Sequence, residues 1–311
     1  MKKDKLVNNT QKKFAPVALL SAILSVSTAA IFIRFSQDSI PSLVIAAYRL
    51  VLATLILLPF TINKAIREWK ELDKKSIGLI FISAFLLALH FASWMSSLEY
   101  TNVISSVVLV TTTPVWVAAV SPWLLKEKVS KRFLIGLSVA LLGIFLLNSV
   151  GVYSLMSSKF RTSFIGEKRI MLGNSLALVG AIFAAGYVVI GRILRKQLST
   201  EAYVLGVYSI SGLLLGIIAI LTEDNFIVTN IALLKWLFLI ALIPQVVGHS
   251  LLNWSLGVLP ANYVAIALLG EPIGSSILAV FFLNEIPARK EVISSIVILL
   301  GIIIAITKQK K

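Results

Sequence analysis

Four ionisable side chains stand inside long apolar stretches of this 311-residue chain: Arg49, His90, His249 and Glu271. An ionisable group at the centre of a hydrocarbon layer costs about 2.5–3.5 kcal/mol on insertion scales, so each needs a partner, a wet cavity or a task. Around His90, the residues Ser83, Leu87, Trp94 and Ser97 fall on one helical face and set a titratable ring beside an indole. Gln245, His249 and Asn253 recur every four residues, a polar stripe about 80° wide on a regular helix. Ser105, Thr112 and Trp116 share a face just before and after Pro114, whose missing amide frees carbonyls in the preceding threonine run. Gly270-Glu271-Pro272-Ile273-Gly274 places a carboxylate beside a second break, between small residues that allow close helix approach. This is the chemistry of hydrogen bonding, ring stacking and charge balance. It identifies no catalytic residue: there is no nucleotide loop and no HExxH pattern. Two histidines with no cysteine and no aspartate cluster make a poor metal site, and no cofactor is implied.

The elements that must position these residues follow from composition. The chain is 58% hydrophobic and 14% charged, with a mean hydropathy of +0.94, outside the range of soluble domains. Lipid is therefore the expected solvent. The formal charge of +15 sits in short clusters between apolar runs, the pattern of a positive-inside bias rather than of nucleic-acid binding. The basic start followed by an apolar run imitates a secretory signal, but the run over 14–35 is long enough to span and similar runs recur to the end. At about 20 residues per crossing, spans are expected near 15–35, 42–61, 76–98, 102–125, 132–150, 170–193, 202–221, 233–256, 260–283 and 291–307. Most of the 29 Lys and Arg then fall on one side, which predicts both termini in the cytoplasm. The loop 151–169, expected outside, runs against this bias with Lys159, Arg161, Lys168 and Arg169.

One common offset aligns Arg34 with Arg192, Leu98 with Leu256, Pro114 with Pro272, Glu127 with Glu285 and Gly143 with Gly301. Rare residue types coinciding at a single offset point to an internal duplication. The expected organisation is a first repeat over 14–150, an external loop over 151–169 and a second repeat over 170–308. An odd number of helices per repeat makes the second copy cross in the opposite sense. The expected fold is thus an all-α integral membrane protein, ten transmembrane helices arranged as two inverted five-helix repeats.

The segments SLEYTNVISSVVLVTTTPVWVAAVSPWLLKEKVS and ALLGEPIGSSILAVFFLNEIP, with AAYRLVLA around Arg49, resemble the drug/metabolite transporter superfamily, specifically EamA-type permeases with two EamA domains. In that family the fourth helix of each repeat carries a helix-breaking proline and ends in a glutamate, which here are similar to Pro114 with Glu127 and Pro272 with Glu285. The family's tryptophan early in the first helix is missing, with Ser25 to Thr28 in that region. The second repeat has Tyr208 and Ser209 where an arginine would match Arg49. The resemblance implies a permease of the cell inner membrane, and the scaffold carries amino acids, nucleosides, sugar phosphates, polyamines and drugs.

The expectation is a secondary transporter that moves a small organic metabolite, such as an amino acid or related solute, by alternating access. His90, Trp94, Thr112, Trp116, Gln245, His249 and Asn253 would bind the solute between the repeats, and Pro114 and Pro272 would be hinges. Glu271 and Arg49 would couple or balance charge, with Glu271 or a histidine as the candidate for proton coupling. Competing with this, the histidines would hydrogen-bond neighbouring helices, and Arg49 and Glu271 would form a buried ion pair. A membrane-embedded enzyme or a non-transporting scaffold is the alternative class. The expected partners are the small solute and the lipid bilayer, with no nucleic acid, and the chain would act as a monomer or a homodimer.

Overall fold

The computed structural model describes residues 9–101, 103–156, 164–223, 226–283 and 289–306; Lys159, Arg161 and Glu285 lie outside them. Every element among the described residues is helical, since a chain this apolar must keep its peptide groups hydrogen-bonded within each segment when water is absent. The first half comprises α1 (Asn9–Ser27), α2 (Ala29–Gln37), α3 (Ser42–Lys70), α4 (Lys74–Tyr100), α5 (Val103–Val110), α6 (Thr113–Leu124) and α7 (Lys131–Met156). In the second, α8 (Phe164–Leu194) and α9 (Thr200–Thr222) precede α10 (Ile231–Ile240), a π-helical segment Ala241–His249 and α11 (Ser250–Val258). Then come α12 (Ala261–Ala267), a 3-10 turn at Leu268–Gly270, α13 (Glu271–Leu283) and α14 (Arg289–Ile306).

Seven stretches among the described residues are long and apolar enough to cross a bilayer, from Gln11–Gln37 to Ala261–Phe282. The spans expected at 102–125, 132–150 and 291–307 correspond to α5 with α6, to α7 and to α14. Helix α7 continues beyond the expected end at 150 to Met156. Large apolar side chains such as Phe81, Leu55, Leu213 and Ile217 face outward, a surface that would be an aggregation hazard in water but suits a hydrocarbon solvent. The chain is a multi-pass helical membrane protein.

Helix starts have local causes. The Asp73 carboxylate accepts from the Ser76 N–H at 2.8 Å, and the Ser199 hydroxyl accepts from the Ala202 N–H at 3.3 Å, each satisfying an amide that the first turn leaves free. Pro41 and Pro260 stand just before α3 and α12.

The most extensive packing joins the two halves: α4 lies on α8, α3 on α9 and α7 on α14, while α1 packs on the π segment and α11. Glycine makes two of these approaches close. A Cβ on Gly143 would stand 2.8 Å from the Ile298 backbone nitrogen, and one on Gly212 would stand 3.2 Å from that of Val51. In lipid, where burial of apolar surface drives no association, such backbone approach is a main source of helix attraction.

Candidate functional site

A cavity is lined from both halves of the chain. Arg49, His90 and Trp94 come from the first half; Tyr187, His249, Asn253 and Glu271 come from the second. Apolar walls from Val26, Ala29, Val110, Val188, Leu252, Leu256, Val264 and Leu268 enclose them.

Arg49 reaches the cavity from α3 and is only 1% exposed, so its hydrogen bonds must come from the protein or from a solute. Its Nε donates to Gln245 Oε1 at 2.6 Å, and its Cζ lies 4.1 Å from the centre of the Phe91 ring, a cation–π contact. Its Nη1 has no hydrogen-bond partner among the described residues. Phe91 in turn meets His249 edge-on, with ring centres 5.3 Å apart.

His90 Nδ1 lies 2.9 Å from the Gly180 carbonyl oxygen. A carbonyl only accepts, so Nδ1 carries the proton and Nε2 is left for other partners. The His90 ring is parallel to the Trp94 indole at 6.1 Å. The Trp94 N–H is buried without a partner among the described residues. Both side chains sit on α4 where it runs along α8 past Gly180.

Asn253 is held from several sides. Its amide Nδ2 donates to Tyr187 Oη at 2.6 Å and to the His249 carbonyl at 2.7 Å, and Tyr208 Oη lies at 3.4 Å. Its Oδ1 has no partner among the described residues. From the loop after α8, Arg195 donates through Nε to the Asn253 carbonyl at 3.0 Å; burial pushes this guanidinium down to about 10. Glu271 opens α13, and among the described residues no ion pair joins it to Arg49. A guanidinium and a carboxyl group therefore share the cavity without touching one another.

The structure gathers six of the expected residues, Arg49, His90, Trp94, His249, Asn253 and Glu271, around one space. Five stand elsewhere. Gln245, buried inside the π segment Ala241–His249, turns to Arg49 and accepts from its Nε. Thr112 caps the break, its hydroxyl donating to the Leu109 carbonyl at 2.7 Å, while Thr111 and Thr113 on either side line the cavity. The carbonyls expected to be free at this break are therefore occupied, since Thr113 also donates to the Val110 carbonyl at 2.8 Å. Trp116 packs against the main apolar core. Pro114 and Pro272 each occupy the first turn of a new helix, where the missing amide hydrogen costs nothing.

Sequence reasoning missed Tyr187. Its signal is a phenol in the apolar run AAGYVVIG, a polar tip that must find a partner once buried. Among the described residues no group of three or more His, Cys, Asp or Glu could hold a metal ion.

The EamA-like transporter family model matches the chain twice, over residues 13–149 and 171–307. The chain is 25% identical to a Bacillus subtilis (strain 168) protein described as the uncharacterized transporter YetK, over 96% of this chain and 88% of that one. An uncharacterized transporter of Archaeoglobus fulgidus is 23% identical, over 90% of this chain and 92% of its own. Another, sll1164 of Synechocystis sp., is 26% identical, over 81% and 71%. A crystal structure sharing 17% identity superposes with a TM-score of 0.74 over 94% of this chain and 96% of its own.

Proposed function

The chain belongs to the EamA-like transporter family, and we propose that it is a secondary transporter carrying a small zwitterionic organic solute, such as an amino acid or a related metabolite, by alternating access. One observation carries this reading. Buried groups with unused hydrogen-bonding capacity, Arg49 Nη1, the Trp94 N–H and Asn253 Oδ1, come from both halves and surround one cavity that also receives the Glu271 carboxylate. A protein that only packed its helices would gain by replacing such groups with apolar ones. A solute carrying a carboxylate and an ammonium group would complement Arg49 and Glu271 at once, and apolar walls with the Trp94 ring would accept its carbon skeleton.

The same reading includes ten membrane crossings in two inverted repeats, 14–150 and 170–308, with both termini in the cytoplasm and the inner membrane as location. The pairing of α3 with α9 and of α7 with α14 supports it, since each pair joins elements holding equivalent places in the two repeats. Glu271 is the group we assign to proton coupling or charge balance.

The test is thermal stability of the purified protein against amino acids, nucleosides and polyamines, with His90→Ala and His249→Ala alongside. A true solute at about 100 times its Kd adds roughly 2.7 kcal/mol. The expected outcome is stabilisation of the wild type by amino acids and a smaller response in both variants. Equal stabilisation of all three proteins would make the histidines packing residues.

A further inference from the structure

Beyond the cavity wall formed by Leu256 and Val264, one carboxylate at the end of α6 ties the two halves together. Glu127 Oε1 accepts from Arg192 Nε at 2.8 Å, and Glu127 Oε2 accepts from the Ala261 N–H at 3.0 Å. Arg192 also donates through Nη1 to the Leu256 carbonyl at 2.7 Å. Glu127 belongs to the first half; its partners lie on α8 and at the start of α12 in the second, and Arg192 carries the link on to α11. Leu256 itself and Val264, one turn beyond Ala261, line the cavity. A second tie sits beside the first, where Ser121 and Asn262 exchange hydrogen bonds at 2.8 and 3.1 Å.

The backbone is shaped to deliver this carboxylate. Lys126 has φ 56°, the only positive value at a non-glycine residue among the described ones. The left-handed conformation costs a residue with a Cβ about 1–2 kcal/mol. It turns the chain sharply off α6, so that the Leu125 and Glu127 amides both point back to the Ser121 carbonyl. That closing pattern normally uses glycine. Both side chains of the pair are largely shielded, Arg192 at 15% and Glu127 at 14% exposure, so their attraction is screened less than that of a surface pair.

We propose that Glu127, Arg192 and the Ala261 amide form the closure of the cavity on this face, the cytoplasmic one in the topology above, and that parting them is the step that opens the cavity there. The proposal rests on the transporter reading, since a closure has a purpose only if the cavity exchanges its contents with both sides. Bonds converging on one carboxylate from two elements make a two-state contact: removing the carboxylate releases the ends of α8 and α12 together. The closed state then loses stability relative to a state open on this face and shut on the other.

The chain has no cysteine, so Val264→Cys introduces a single thiol on the cavity wall behind the closure. Its reaction with a membrane-impermeant maleimide is followed in vesicles of each orientation, alone and combined with Glu127→Gln, Arg192→Gln or both. The expected result is a rise of about tenfold in labelling from the Glu127 face and a fall from the opposite face. Either substitution should give it, and the pair should add little, as partners in one contact do. No change from the Glu127 face, or a rise from both faces, overturns the proposal and leaves the contact as a tie that holds the fold. Solute flux in the wild type separates the two claims. Flux with unmoved labelling removes the closure alone, whereas labelling that shifts as expected without flux of any solute in the panel keeps the closure and removes the solute class proposed above.

Discussion

Two helix breaks hold matching places in the two halves, and they are built differently. In the first, α5 stops at Val110 and α6 starts at Thr113, and threonine hydroxyls occupy the carbonyls that the break releases. In the second, the 3-10 turn Leu268–Gly270 hands over to α13 at Glu271, and the break leans on a neighbour. The Ser27 hydroxyl lies 3.3 Å from the Glu271 carbonyl, the Ser275 hydroxyl donates to the Ser27 carbonyl at 3.2 Å, and Gly270 and Gly274 lie flat against α1. The residue before each proline lines the cavity, yet in one half it is a neutral hydroxyl shared between the Val110 carbonyl across the break and the Ala181 carbonyl of α8, and in the other a carboxyl group. The two matching breaks are thus tied by hydroxyls in one half and set beside a carboxyl group in the other.

The largest effect that would break this comparison is at the second break. Gly274→Leu forces a side chain into Ser27, whose Cβ already lies 2.7 Å from where the new Cβ would sit. Overpacking of that kind costs about 1–3 kcal/mol, and the thermal midpoint should fall accordingly; an unchanged midpoint would show that α1 and α13 part easily. Next is Glu271→Gln, which keeps the shape and removes the charge. Solute flux should drop about tenfold, the equivalent of one charge-assisted hydrogen bond to the solute in the transition between states, with little change in thermal midpoint without solute. Flux as in the wild type would make the carboxylate a bystander. The smallest effect belongs to Thr113→Val, which removes a neutral hydroxyl shared between the Val110 and Ala181 carbonyls and should cost about 1 kcal/mol, with flux altered less than by Glu271→Gln. A steeper drop in flux from Thr113→Val would mean that the first break also touches the solute.

Apolar runs and their punctuation made most of the helical architecture legible before any coordinates, because lipid leaves a chain few options. The ionisable residues were legible for the same reason: Arg49, His90, His249 and Glu271 stand out where each charge is expensive. Residue facing was less so. The every-fourth spacing of Gln245, His249 and Asn253 sets them on one stripe, but spacing alone does not say that Gln245, inside the π segment Ala241–His249, is taken up by Arg49. Pro244 and Gly248 mark the region as irregular, yet nothing in them says which way it winds. Thr112 donates to the Leu109 carbonyl and Trp116 packs on the apolar core, placements that depend on where the helix restarts, at Thr113. The role of Glu127 was half legible. A glutamate at a helix end is visible in sequence, but its convergence on Arg192 and Ala261 depends on a turn at Lys126 that lysine rarely makes.

The pairing of α3 with α9 and of α7 with α14 governs how the molecule can deform. These helices come from opposite halves and lie against each other backbone to backbone at Gly212 and Gly143. The halves are interlocked like clasped hands, not apposed like the valves of a shell, and they cannot swing apart as rigid blocks without unmaking their tightest joints. On the transporter reading, a change of access would instead flex the shorter rods, α5 and α6, α12 and α13, and the π-wound stretch between α10 and α11, together with the end of α8, while the α3–α9 and α7–α14 joints hold.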